Sequence, residues 1–257
     1  MKLDLNCFSG NWPFYKVRYN TVKKLTQLHS RCGIEGGLVS SLEALFYQDP
    51  YEAEAELAKE LFGTNYAQAA VVNPTLPGWQ ENLKRCVEIL GIKAVRLIPS
   101  YHGYTLADPV MEQVAAMLRQ YQLPLVLTVR IEDERTTWMV KPRPIAIDEV
   151  KVFLQSFADI RTLITNIQID ELAELADLFE VRANLFADTS GLVRGLFPVD
   201  MAYPLTNGQL VFGSSAPKNE LGAIVNTVDT SLLTEEQKIA VYSCEAFLRW
   251  NDEHCVV

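Results

Sequence analysis

The amino-acid sequence predicts an α/β fold, a single (β/α)8 TIM-barrel-like domain over residues 1–257. Eight short apolar runs end at proline, glycine or polar clusters, and nearly all are followed by apolar residues at helical spacing. Eight such units in 257 residues match the size and repeat of this barrel. No composition break or low-complexity linker marks a second domain. An open doubly wound sheet is the alternative, and the count of eight strands argues against it.

The unit over residues 93–135 is the clearest of the eight. Its first strand stops at Pro99, and a polar turn follows. Asp108 and Pro109 have the pattern of an N-cap followed by a proline in the first turn, which predicts a helix over 109–121. A second apolar run then gives the parallel strand of a β-α-β unit. Polar residues gather just after both strands, where parallel α/β folds place their functional sites.

The same patterns predict the remaining elements. The predicted strands are 3–8, 36–41, 67–72, 94–98, 123–129, 162–167, 182–187 and 209–213. The predicted helices are 22–32, a helix opened by Asp49 and Pro50, 79–90, 109–121, 147–157, 170–179 and 235–250.

Composition excludes several classes of function. The net charge of -9, without a basic stripe, argues against nucleic acid as a partner. No apolar run approaches the roughly 20 residues of a membrane span, and the first residues lack the apolar core of a signal peptide. Five scattered cysteines without a Cys-x-x-Cys pair indicate free thiols in a reducing compartment, so we expect a cytoplasmic protein.

Strand alternation predicts which side chains face into the barrel. On the fifth strand Thr128, Arg130 and Glu132 share the polar face, and on the fourth strand Arg96 is the inward residue. A buried arginine needs a carboxylate partner or a bound anion. The same parity places further residues inward at the barrel mouth, namely Asn6, Phe8, Asn166, Asp188 and Ser215.

Several segments together resemble the amidohydrolase superfamily, closest to its branch of aminocarboxymuconate-semialdehyde decarboxylase-like and pyrone-dicarboxylate lactonase-like enzymes. The resemblance is carried, in chain order, by segments 72–79 (VNPTLPGW), 91–99 (GIKAVRLIP), 125–135 (LVLTVRIEDER), 188–191 (DTSG) and 211–217 (VFGSSAP). It extends over essentially the whole chain and implies a barrel enzyme that acts on a small carboxylated substrate.

The resemblance also implies one or two divalent metals held by a first-strand His-x-His pair, histidines on the fifth and sixth strands and an aspartate on the eighth. At the matching positions this chain has Asn6, Phe8, Thr128, Thr165 or Asn166, and Ser215. Phenylalanine and threonine do not replace imidazole around zinc. The sequence therefore leads us to expect no metal and no other cofactor.

Two residues are candidates for proton transfer. His102 lies in a turn after the fourth strand, at the end where barrels place their sites; the alternative is a loop histidine bonded to backbone. Asp188 ends the seventh strand beside Ser190, and its alternative role is to neutralise an arginine. A Ser215–His102–Asp188 triad has no nucleophile-elbow motif to support it. Cys7 is expected in the core and His29 on the surface or in packing.

Arg96 and Arg130 are candidates for clamping a substrate carboxylate through their guanidinium groups. The alternative is an internal ion-pair network with Glu132, Asp133 or Asp188. The other candidate substrate-binding residues are Asn6, Tyr101, Thr128, Asn166 and Ser215. The amides after Ser214 are a further place for an anion.

Three functions follow from these residues. The leading one is a metal-independent enzyme that hydrolyses a lactone, ester or amide, or decarboxylates, with His102 and Asp188 moving protons. The alternative is a catalytically inactive barrel that acts as a binding or interaction protein. The third is a metal hydrolase with zinc or another divalent metal on relocated ligands, such as Asp4, His102, Asp133 and Asp188. We expect a small-molecule carboxylate as partner, and the apolar loop 42–47 is a candidate contact for a homodimer.

Overall fold

Eight parallel strands, each paired with its neighbour in chain order, form the sheet at the centre of the protein. The computed structural model describes residues 1–132, 142–192 and 198–248. The strands are β1 Lys2–Ser9, β2 Ile34–Ser41, β3 Tyr66–Val71, β4 Ala94–Leu97, β5 Leu125–Thr128, β6 Thr162–Thr165, β7 Leu185–Asp188 and β8 Leu210–Val211. Backbone hydrogen bonds from Leu5 to Phe212 and from Phe8 to Ala216 bring the last strand back to the first. The predicted TIM barrel is confirmed, and the open-sheet alternative is wrong.

Helices alternate with the strands and cover the outside of the barrel. They are α1 Val22–Ser30, α2 Pro50–Leu61, α3 Trp79–Arg85, α4 Pro99–His102, α5 Val110–Tyr121, α6 Ile147–Ser156, α7 Ile169–Glu174, α8 Ala176–Val181, α9 Pro198–Leu205, α10 Leu221–Asp229, α11 Glu235–Ser243 and α12 Glu245–Leu248. A π-helix, Cys86–Leu90, continues α3. None of the helices in the described ranges combines the length and apolar character that a bilayer span requires.

The helix starts show how local chemistry fixes the elements. The predicted cap at Asp49 is confirmed, because its side chain accepts a hydrogen bond from the Tyr51 amide and Pro50 follows in the first turn. Asp108 differs from the prediction. Its carboxylate accepts from the Thr105 amide, so it stabilises the preceding turn, and α5 begins at Val110.

Some predicted helices are divided in the structure. The predicted helix over 170–179 breaks at Leu175 into α7 and α8, and Gln168 rather than Asp170 caps it. The last predicted helix breaks at Cys244, which has a left-handed φ of 55°, and its residues 249–250 lie outside the described ranges. The helix α4 occupies the turn predicted after the fourth strand.

Two apolar clusters hold the fold together. The larger lies between the sheet and its helices. The smaller lies at the carboxyl ends of β1 to β5 and includes Phe8, Trp12, Leu42, Leu45 and Ile131. The loop 42–47 therefore places its leucines in the core, whereas its two aromatic side chains stay partly exposed, at 38% and 44%. The homodimer contact through this loop remains a prediction.

Candidate active site

Arg96 lies at the centre of the barrel mouth with no exposed surface. Its Nε donates to Ser40 Oγ at 2.8 Å, and its Nη1 donates to Asn6 Oδ1 at 2.8 Å and to Thr128 Oγ1 at 2.9 Å. Burial lowers the pKa of Arg96 to about 10, and the nearby charge of Asp188 is the main effect that raises it. The guanidinium is therefore charged at neutral pH. Within the described residues Nη2 has no hydrogen-bond partner. Arg96 thus offers one buried, charged and unused donor to a ligand.

Asp188 is the buried carboxyl group of the same mouth. Its Oδ2 accepts from Asn6 Nδ2 at 2.7 Å, and its Oδ1 accepts from Ser190 Oγ at 2.7 Å and from the Asn166 amide at 3.1 Å. Burial raises its pKa to about 7, although these hydrogen bonds act in the opposite direction. A carboxyl group with this pKa takes up and releases a proton near neutral pH, which suits acid–base chemistry.

Asn6 connects the arginine to the carboxyl group. Its side-chain oxygen accepts from Arg96, and its Nδ2 donates to Asp188 and, at 2.9 Å, to Asn166 Oδ1. Asn166 has a left-handed φ of 61°, which asparagine tolerates better than most residues, and this conformation directs its amide to Asp188. Together with Thr128, which accepts from Arg96, the structure therefore brings five of the predicted site residues into one hydrogen-bonded group.

Thr128 and Ser215 lie at the edge of this group. Thr128 Oγ1 lies 2.9 Å from Thr165 Oγ1 as well as accepting from Arg96. The Ser215 amide donates to the Asn6 carbonyl at 2.6 Å, and its hydroxyl has no partner among the described residues. The mouth therefore has a second buried polar group with unused hydrogen-bonding capacity.

His102 contacts a different set of residues. Its Nε2 is 3.2 Å from the Leu45 carbonyl, so this nitrogen carries the proton, and its ring stacks on Tyr104. Burial lowers its pKa to about 4, so the imidazole is neutral at pH 7. No hydrogen bond in the described residues links His102 to Asp188 or Ser215. These contacts match the alternative of a loop histidine bonded to backbone, and the triad is not assembled.

Arg130 has a different partner from those that the sequence suggested. Its guanidinium makes a two-pronged ion pair with Glu171, with Nη1 2.8 Å from Oε2 and Nη2 bonded to Oε1, and Nη1 also donates to the Asn166 carbonyl. The contact is an internal ion pair, as in the alternative reading of this arginine, but with Glu171 in place of Glu132 or Asp188; Asp133 lies outside the described residues. Glu171 can pair with Arg130 because it lies in the first turn of α7, which follows β6.

A buried ammonium group that sequence reasoning missed lies over the mouth. Lys218 Nζ is 2.9 Å from Glu132 Oε1 and 3.4 Å from the centre of the Trp12 ring, and its side chain is 1% exposed. Tyr101 donates to Glu132 Oε2 at 2.9 Å. Burial lowers the pKa of Lys218 to about 8. The position of Lys218 after the eighth strand could have identified it from the sequence as a candidate site residue. A crevice lined by Tyr101, Arg130 and Glu132 opens beside this group.

The mouth residues do not fit a metal centre of the kind that the resemblance implies. The side chains of Asn6 and Thr128 stand at ligand positions, and both hydrogen-bond to the Arg96 guanidinium. Phe8, at a third ligand position, places its ring 4.6 Å from the same guanidinium. A second cation among these groups would be repelled by the arginine and would find no imidazole.

A set of metal-ligand side chains lies instead behind β1. Asp4, Cys7 and His29 are fully buried, and one ligand atom of each lies within 4.8 Å of the others. The Asp4 Oδ2 to His29 Nε2 distance is 3.2 Å. The alternative ligand set of Asp4, His102, Asp133 and Asp188 is not brought together within the described residues, and Asp133 lies outside them. His29, expected on the surface or in packing, is buried and part of this cluster.

Comparison with solved structures places the barrel among known proteins. It is similar to 2,6-dihydroxybenzoate decarboxylase from Rhizobium, with 14% identity, a TM-score of 0.70, and 96% of this chain and 99% of that chain covered. It is also similar to dihydroxybenzoic acid decarboxylase from Polaromonas sp., solved with bound manganese and 2-nitroresorcinol, with 14% identity, a TM-score of 0.71 and 96% of each chain covered.

A third similar structure is a 5-carboxyvanillate decarboxylase from Novosphingobium aromaticivorans with bound manganese, at 10% identity, a TM-score of 0.70 and 96% of each chain covered. Amidohydrolases are among the other similar structures. No protein-family model matches the chain, and no curated protein matches it in sequence. At these identities the likeness shows the fold, and the predicted resemblance to amidohydrolase-superfamily barrels is confirmed at that level.

The expectation that the chain has no metal is wrong on two findings. Two similar structures contain manganese, and the described residues contain the Asp4–Cys7–His29 cluster. The sequence reasoning considered the ligand positions at the mouth, where Asn6 and Thr128 hydrogen-bond to Arg96, and a relocated set that contained Asp4 but neither Cys7 nor His29. A metal-binding barrel is therefore favoured over one without a cofactor.

Proposed function

We propose that the chain is an enzyme that decarboxylates a small carboxylated substrate, or hydrolyses its lactone, ester or amide, at the barrel mouth. The observation that carries this proposal is the unused Nη2 donor of the buried Arg96, in one hydrogen-bonded group with an Asp188 whose pKa is about 7. The similar structures that act on dihydroxybenzoates and carboxyvanillate support a carboxylated substrate.

Arg96 would bind the substrate carboxylate. A hydrogen bond from a buried guanidinium to an anion is charge-assisted and stronger than one between neutral groups. Three of the guanidinium hydrogen bonds already fix its orientation through Asn6, Ser40 and Thr128. Arg130 and the crevice beside it lie on the approach to the mouth, where Arg130 would attract an anion while its pair with Glu171 holds it in place.

Asp188 would move the proton. In a decarboxylation the bond between the substrate carbon and its carboxylate breaks, and the carboxylate leaves as carbon dioxide. The electron pair stays on the substrate carbon, and the protonated Asp188 delivers its proton there. The resulting carboxylate is stabilised by Asn6 Nδ2, the Ser190 hydroxyl and the Asn166 amide. In a hydrolysis the ionised Asp188 accepts the proton of the attacking water.

A divalent cation would be held by Asp4, Cys7 and His29, whose ligand atoms lie together, rather than by the residues that act on the substrate at the mouth. It would supply a fixed positive charge that keeps its carboxylate and thiolate ligands deprotonated. The net charge of -9 supports a small molecule rather than a nucleic acid as the partner.

A second candidate is a binding protein of the same fold without turnover. The observation that favours it is the complete burial of Arg96 and Asp188. In this case the unused Arg96 donor would hold a carboxylate ligand that is not converted.

The test is turnover of a panel of hydroxybenzoates, carboxyvanillates and lactones by metal-replete protein, with Asp188→Asn and the exposed-site control Asp177→Asn. We expect turnover that Asp188→Asn lowers about 100-fold or more, in line with loss of general acid–base catalysis, and that the control retains. Equal turnover by both variants would remove Asp188 from the reaction. Saturable binding that needs Arg96 and gives no product would establish the binding protein.

A further inference from the structure

We propose that Asp4, Cys7 and His29 form a buried zinc-type site that joins β1 to α1 and serves the fold rather than the reaction at the mouth. The site is independent of the function proposed above. Its ligands favour zinc over manganese, since a thiolate, an imidazole and a carboxylate form a borderline-soft set typical of zinc, whereas manganese is suited to oxygen ligands.

A register shift in β1 brings two of the ligands to one side of the strand. Asp4 pairs with Gly37 and Cys7 pairs with Val39, so an advance of three residues along β1 corresponds to an advance of two residues along β2. In a regular strand residues three apart point to opposite faces, and the shift removes that difference. Gly37 permits it, because a Cβ there would lie 2.0 Å from the Asp4 carbonyl oxygen.

His29 presents the third ligand from α1. Its Nδ1 is 2.8 Å from the Tyr66 hydroxyl, and its Nε2 faces Asp4 but has no hydrogen-bond partner among the described residues. When Nδ1 carries the proton and donates to Tyr66, Nε2 presents its lone pair toward the cluster. A partner on the far ring nitrogen is the usual means of orienting a metal-bound histidine.

The distances and charges suit a tetrahedral cation. Ligand atoms about 2.0–2.3 Å from zinc lie about 3.3–3.7 Å apart, which follows from tetrahedral geometry. The Asp4 to His29 distance of 3.2 Å is already close to this value, and all three ligand atoms are within 4.8 Å. The Leu38 carbonyl oxygen lies 3.3 Å from Cys7 Sγ and is available as a fourth ligand. One carboxylate and one thiolate neutralise the divalent charge, as a buried site requires.

Asp4 is prepared for this role by its other contacts. Its Oδ1 accepts from the Asn6 and Ser214 amides, each at 3.0 Å, and the Ser214 hydroxyl donates to Oδ2. These donors fix the orientation of the carboxylate, with Oδ2 3.2 Å from His29 Nε2. Second-shell donors of this kind are a regular feature of metal sites.

The experiment uses the full chain, purified without chelator for metal analysis and then reloaded with cobalt. We expect close to one equivalent of zinc, a thiolate-to-cobalt charge-transfer band, and a melting temperature that chelation lowers. Cys7→Ser and His29→Gln should lose the metal and the band, whereas the matched control Cys244→Ser, also a buried thiol, should keep both. Tyr66→Phe should bind zinc about 10–100-fold more weakly, as expected for a second-shell partner.

Folded wild-type protein that gives no charge-transfer band with cobalt would overturn the proposal, and this measurement needs no variant. The same conclusion follows if Cys7→Ser retains the zinc content of the wild type. A thiol and a metal-free Asp4–His29 ion pair would then be the correct description of the cluster.

Discussion

Replacing Asp188 by asparagine should change how the stability of the protein depends on pH. Burial raises the pKa of this carboxyl group to about 7 in the folded state, against an ordinary value of about 3.9 in an unfolded chain. The folded state therefore binds the proton more tightly. Its contribution to the free energy of unfolding is full below about pH 4 and is lost as the pH rises through about 7.

The size of the effect follows from the two pKa values. Between about pH 5 and about pH 8 a group of this kind removes about 2.6 kcal/mol from the free energy of unfolding. Glu54, buried against Gln68 and the Val71 amide, also has its pKa raised to about 7 by burial and contributes in the same direction. Asparagine at position 188 also places an amide donor opposite Asn6 Nδ2, which costs about 1 kcal/mol at every pH.

The assay is urea unfolding at several values between about pH 5 and about pH 8, with Asp188→Asn compared with wild type and with Glu54→Gln. We expect Asp188→Asn to be less stable than wild type at the acidic end and equal or more stable at the basic end, so that the two curves cross. Glu54→Gln should flatten the curve by a similar amount. Parallel curves for wild type and Asp188→Asn would refute the raised pKa of this group.

Three further substitutions test the packing and the charges. Gly37→Ala should destabilise the protein by about 3 kcal/mol or more in urea unfolding, because the added Cβ would overlap the Asp4 carbonyl. The control is Gly222→Ala, whose added Cβ would enter open space, and it should be neutral or stabilising in the same assay. Arg96→Met should weaken carboxylate binding in calorimetry about 10–100-fold, and unchanged affinity would contradict the Nη2 assignment. Lys218→Met should cost about 3–5 kcal/mol by leaving Glu132 buried without its cation, and adding Glu132→Gln should recover part of that loss in a double-mutant cycle.

Much of the fold was predictable because parallel strands in a barrel are buried on both sides. Runs such as 94–98 and 123–129 are continuous and apolar for that reason, and prolines, glycines and polar clusters mark their ends. Strand parity also placed Arg96, Asn6, Thr128 and Asp188 correctly at the mouth, since a charged side chain in a short buried strand has only one face on which polar partners lie.

The contacts that sequence reasoning missed depend on geometry that no local pattern encodes. Glu171 pairs with Arg130 because the first turn of α7 stands directly over β6, and the sequence does not give that offset. Lys218 reaches Glu132 across 86 residues. His102 was a candidate because its position after a strand is visible in the sequence, whereas its hydrogen bond to the Leu45 carbonyl is not.

The Arg96 guanidinium and the proposed zinc site involve side chains that leave β1 in different directions. Asn6 points into the barrel and accepts from Arg96, whereas Asp4 and Cys7 point to His29 behind the strand. The register shift between Asp4 and Cys7 is the reason, because strict alternation would put those two on opposite faces. A guanidinium fixed at the mouth disfavours a second cation among the side chains that hydrogen-bond to it. Removing the zinc ligands should therefore lower stability while leaving carboxylate binding at Arg96 intact.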